Sequence, residues 1–147
     1  MAATYNGLDF HTPLLAQWAA FFDLAHWQWS RGISPIGDWQ PDFRVSFECG
    51  HSGCSGGHTI LISVLAVTDI ASVKGHPALS HFYGVTGPSG TSIADAGAVF
   101  GANPQATQWQ MSHGSGGGIE EATNWAEDAY GLWQRAKAMV QVFTAET

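Results

Sequence analysis

The nine residues from Thr59 to Val67 (TILISVLAV) are apolar at both odd and even positions. A strand that is apolar on both faces must be covered on both sides. The stretch therefore predicts the central strand of a sheet with a layer above and a layer below. Upstream, Pro41 to Glu48 alternates, with Phe43, Val45 and Phe47 on one face and Asp42, Arg44, Ser46 and Glu48 on the other. That is a strand with one buried face. Gly50, Gly53, Gly56 and Gly57 make the connection a turn, so the two strands are expected to pair as a hairpin.

The rest of the chain supplies the covering. Thr12-Pro13 is a helix start, since threonine caps free amides and proline is pre-set for the first turn. A helix is expected to about Ala25, with Leu14, Trp18, Phe21, Phe22 and Ala25 on one stripe. Trp27-Gln28-Trp29 reads as a short strand, and Gly32, Pro35 and Gly37 as a loop. Asp69 to Ser80 carries turn and short-helix signals. His81 to Val85, Ala98 to Phe100 and Gln108 to Met111 are further strand candidates. A glycine run, Gly114 to Gly118, reads as a flexible connector into one last helix over 119–143, with Ala122, Trp125, Ala129, Leu132, Trp133, Ala136, Val140 and Phe143 on its stripe. Glu120 and Glu121 then occupy the first helical turn and oppose a bound phosphate there. The whole, residues 1–147, reads as a single α/β (α+β) domain.

Composition bounds the partners. Five basic residues face twelve acidic ones, for a formal charge of -7, so the surface as a whole repels a phosphate backbone. DNA binding could rest only on a local patch drawn from Arg31, Arg44, Lys74, Arg135 and Lys137. No apolar run approaches the roughly 20 residues of a membrane span, and no secretory leader pattern opens the chain. A cytoplasmic protein with no membrane association is expected. Seven tryptophans and eight phenylalanines exceed what two helices and a small sheet need, which predicts that some form an exposed contact surface.

The residues Tyr5-Asn6-Gly7-Leu8-Asp9-Phe10-His11, the helix motif Ala16-Gln17-Trp18-Ala19-Ala20-Phe21-Phe22-Asp23 and the strand opening Pro41-Asp42-Phe43 together resemble small phage-encoded members of the PD-(D/E)XK nuclease superfamily. The resemblance covers about the first 67 residues; the remainder fits in outline. It implies a restriction-endonuclease-like αβββαβ core, with a mixed central sheet flanked by an N-terminal and a C-terminal helix, and a phage or mobile-element setting in the host cytoplasm. It also implies an Mg-dependent site in which the second-strand aspartate and a third-strand acid hold the ion while a lysine assists water. Asp42 stands at the first position, but Ser63 and Leu65 occupy the acid and lysine positions, Leu15 that of the helix glutamate, and His11 that of the arginine before the helix. A hydroxyl is a poor magnesium ligand and leucine stabilises no charge. Glu48, six residues along the strand, lies about 20 Å from Asp42, and Asp69 is displaced from Ser63 in the same way. Asp42 is thus a catalytic remnant, and a turn-proximal aspartate kept by the fold.

The loop Cys49-Gly50-His51-Ser52-Gly53-Cys54-Ser55-Gly56-Gly57-His58 offers two thiolates and two imidazoles. Cys49, His51, Cys54 and His58 could close a structural zinc site, with His76 or His81 as substitutes. A Cys49 to Cys54 disulfide and a glycine turn with free thiols are the other readings. His113 beside Ser112 and Ser115 makes no nucleophile and base, since adjacent side chains seldom meet.

Three functions follow. The first is a catalytically silent PD-(D/E)XK-like domain serving as a binding or structural module, with a protein partner or self-association favoured over nucleic acid. The second is a divalent-metal-dependent DNA endonuclease with a rearranged site. The third is a zinc-stabilised nucleic-acid-binding protein.

Overall fold

The apolar run becomes the middle of a sheet. In a computed structural model, which describes residues 2–48, 56–113 and 116–143, the chain runs β1 (Ala2–Tyr5), β2 (Leu8–Phe10), α1 (Pro13–Leu24), β3 (Gln28–Ser30), β4 (Phe43–Glu48) and β5 (Gly57–Val64). Two 3-10 turns (Ile70–Val73 and Pro77–Ser80) and the short β6 (Val85–Thr86) and β7 (Ser92–Ala94) follow. Then come β8 (Ala96–Phe100), β9 (Thr107–His113), β10 (Gly116–Glu120), α2 (Ala122–Trp125), α3 (Ala129–Met139) and β11 (Gln141–Phe143). The protein is mixed α+β.

The main sheet has the order β10-β9-β8-β5-β4-β3. β3, β4 and β5 form an antiparallel meander, and β5 then pairs in parallel with β8. Two 3-10 turns and the β6-β7 pair make this crossover, where an α-helix is usual.

Both faces of β5 are buried, as its sequence requires. Ile60 and Ile62 enter the larger core with Phe43, Val45 and Phe47 of β4 and with α1 and α3, whereas Leu61 enters a smaller one with Trp39, Ala78, Val85 and Val99. Of the tryptophans and phenylalanines, some of which were expected on a contact surface, Phe82 is exposed but the tryptophans are internal: Trp18, Trp27, Trp39, Trp109 and Trp133 are buried, and Trp29 and Trp125 are partly so. The reason is that they pack on other rings: Trp18 lies against Phe21, Phe22, Phe100 and Trp133, with ring centroids 4.3–6.0 Å apart.

Helix α1 starts as its sequence requires, with Thr12 Oγ1 accepting from Leu15 N at 3.2 Å. It ends without glycine. His26 takes the left-handed conformation at φ 62, and the His26 and Trp27 amides return to the Asp23 and Phe22 carbonyls. Trp27 stacks on Phe22 at 6.0 Å, the apolar contact that accompanies this kind of helix end.

Two expectations fail here. The helix over 119–143 is instead the end of β10, a four-residue helix, α3 and a closing strand that pairs with β1. Asp128, at φ 52, starts α3 afresh by accepting from Gly131 N, and the glycines read as a connector include β10. The strand expected over 81–85 is reduced to Val85–Thr86.

A further hairpin, β1-β2, absent from the expected strands, packs beside α1. Its two-residue turn, Asn6-Gly7, has φ 52 and 78, the mirror-image turn that suits tight hairpins. The Tyr5 hydroxyl donates to Asp23, and the Trp29 indole donates to the other oxygen of that carboxylate at 2.9 Å. Burial, with the Asp23 hydrogen bond and charge, pushes the Tyr5 phenol up to about 12.

Candidate functional site

Asp42 immediately precedes β4. The pairing of Phe43 with Ile62, continued by one residue, sets Asp42 opposite Ser63, and opposed residues of an antiparallel pair share a face. The two positions that would share an ion are therefore neighbours, but both are otherwise engaged. Asp42 Oδ2 accepts from Val64 N at 2.7 Å, and the Asp42 amide donates to the Ile62 carbonyl. Ser63 is 4% exposed and its hydroxyl accepts from the Trp39 indole at 2.8 Å. Leu65, at the lysine position, packs against the smaller core.

Burial raises the Asp42 carboxyl above its ordinary value, opposed by the Val64 amide and by His76. A carboxyl whose folded value is raised adds stability below its ordinary value and loses it as pH rises through the folded one. Asp42→Asn keeps an acceptor for Val64 and has no charge to bury. The variant should match the parent at about pH 4 and gain on it towards neutrality. Urea midpoints at the two pH values measure this; a variant that loses ground as pH rises would contradict it.

A cavity of about 700 Å³ opens at this end of the fold, lined by His11, Leu15 and Asp42 together with Asp9, Phe10 and Arg31. The structure thus gathers three of the positions to which the resemblance points. It also adds two residues that were not singled out as a pair. Arg31 donates to the Asp9 carbonyl at 2.6 Å and lies over the Phe10 ring at 4.5 Å. Asp9 and Arg31 are far apart in sequence, and only the β1-β2 hairpin and the end of β3 bring them together.

Glu48 and Asp69, the two further acids considered for this site, lie elsewhere. Glu48 ends β4 at its opposite end, and Asp69 caps the first 3-10 turn by accepting from Ala71 N at 3.0 Å.

Of the four zinc candidates, Cys49, His51 and Cys54 lie outside the described residues, as do Gly114 and Ser115. His58 is buried in β5 at 5% exposure, with Nδ1 3.2 Å from Asp95 Oδ2. The same oxygen accepts from Thr59 N. Phe47 and Trp125 flank the imidazole at 6.0 and 5.5 Å. His76 and His81 do not reach it: His76 Nδ1 accepts from Ala78 N, and His81 stacks on Trp39, both beside the smaller core on the other face of the sheet. Among the described residues no group of three or more His, Cys, Asp or Glu side chains is placed to hold a metal.

No described helix is long and apolar enough to cross a membrane. Comparison with family models, curated proteins and solved structures finds no match to the chain.

Proposed function

We propose that the chain is a catalytically silent PD-(D/E)XK-like domain of the small phage-encoded type, serving as a binding or structural module for a protein partner. The observation that carries this reading is the exchange of roles at the Asp42 edge. Its carboxylate holds the Val64 amide, and the residue opposite is a buried serine engaged by Trp39. An ion there would have one acid where the chemistry needs at least two ligands and a general base.

The order of helix, three-stranded meander, crossover and parallel strand supports the family reading, as does the convergence of His11, Leu15 and Asp42 on one cavity. The 3-10 crossover departs from the αβββαβ order. Four of the five basic residues, Arg44, Lys74, Arg135 and Lys137, are scattered over β4, the crossover and α3, which favours a protein partner over DNA. Incubation with supercoiled plasmid and magnesium or manganese tests the reading. Parent and Asp42→Ala should leave the plasmid equally intact; nicking by the parent that the variant lacks would establish the endonuclease instead.

The His58–Asp95 pair favours a second, compatible reading, structural zinc held by Cys49, His51, Cys54 and His58. Metal-bound histidines usually give their other ring nitrogen to a carboxylate. Metal analysis of purified protein should find about one zinc per chain, lost in His58→Gln; protein purified without zinc would remove this reading.

A further inference from the structure

The main sheet ends on β10, with no described strand outside it. Three of its five residues are glycine, so the strand lacks the lysines and prolines that commonly keep an edge from pairing; its one charge, Glu120, is paired with Trp109 and accepts from the Trp125 indole at 2.9 Å. Trp109 and Met111 of β9 enter the larger core, which turns Gln110 to the opposite face. Ile119 of β10 is paired with Gln110 and is 60% exposed. Gln110 donates to the Tyr83 hydroxyl at 3.3 Å. Phe82 and Tyr83 are both exposed, edge to face at 5.7 Å, with Tyr83 held at φ 60. Exposed Phe82 and Tyr83 and exposed Ile119 therefore lie on either side of Gln110 on one face, which ends at β10, the last described strand of the sheet.

Charge indicates what this face would accept. Residues 75–134 contain five acidic residues, Asp95, Glu120, Glu121, Glu127 and Asp128, and no lysine or arginine. Four of the five lie in β10 or just after it. An acidic partner would be repelled and a basic one attracted.

We propose that β10 is a docking edge for an extended, basic segment of a partner protein. The segment adds as a further strand, hydrogen-bonded through its main chain to the backbone of Gly116–Glu120. Its alternate apolar side chains lie along Ile119 towards Tyr83, and its lysines or arginines meet the acidic residues around Glu120 and Glu121. Nothing in this depends on whether the Asp42 cavity hydrolyses DNA.

The probe is a capped, fluorescein-labelled octapeptide of alternating lysine and valine, with a glutamate-valine peptide as its control. The full chain should bind the lysine peptide and not the glutamate one, less tightly as salt rises. Binding should slow deuterium exchange over residues 116–120. Ile119→Lys should weaken binding about tenfold or more while leaving thermal unfolding unchanged, and Tyr83→Ala should weaken it too if it folds as the parent does. The proposal is overturned if neither peptide binds, if both bind equally, if Ile119→Lys binds as the parent does, or if protection falls elsewhere. A chain that sediments as a dimer and binds no peptide would give the edge to a second copy.

Discussion

Trp18→Ala is expected to lower the folding free energy by ~3–5 kcal/mol, the range for truncating a fully buried aromatic. Trp18 has no exposed surface and links α1 to α3 and β8 through Trp133 and Phe100. Its indole also donates to the Gly101 carbonyl at 2.9 Å, and a buried carbonyl left without that donor adds its own penalty. Against a typical stability of about 5–15 kcal/mol, the variant should be marginal. Trp109→Phe is the useful contrast. Trp109 is as deeply buried, but its indole nitrogen has no hydrogen-bond partner among the described residues, so the loss of ring volume is offset by the loss of an unsatisfied donor. Urea denaturation should rank the two far apart; equal losses would show that hydrogen bonding does not distinguish them.

Ser63→Glu, which places opposite Asp42 the acid that the proposed family reading expects there, should cost ~3–5 kcal/mol, as expected when an uncompensated charge is buried. The new carboxylate would replace a small hydroxyl under Trp39 and stand beside a carboxyl already raised by burial. Ser63→Ala, which only leaves the Trp39 donor unpaired, should cost about 1–3 kcal/mol. If Ser63→Glu is instead as stable as the parent and is stabilised further by magnesium, the edge still has the geometry of a metal site. Chemical denaturation with and without the ion distinguishes these outcomes.

How far such features could be read from sequence depends on how local their causes are. Thr12-Pro13 and the two-faced run around Ile60 to Ile62 each state their structure within a few residues, and α1, β4 and β5 follow. Asn6-Gly7 carried an equally local hairpin signal, masked because the flanking strands are only four and three residues long. The C-terminal stripe misled for a different reason. α2 and α3 pack residues against the same core, so the helical spacing continues across the break that Asp128 makes. At the candidate site, that Asp42 opens one strand of a hairpin and Ser63 lies in the other was legible, because such pairing is a local property of the chain. Arg31 meeting Asp9, and Asp95 meeting His58, were not, since each pair joins separate elements.

The Asp42 carboxylate accepts from the Val64 amide, and the proposed function requires that it hold no metal. Calorimetric titration of manganese into the parent and Asp42→Asn tests it most directly. The two proteins should give the same weak or absent heat, with no saturable site that the substitution removes. Saturable binding of one manganese by the parent, abolished in a folded Asp42→Asn protein, would contradict it.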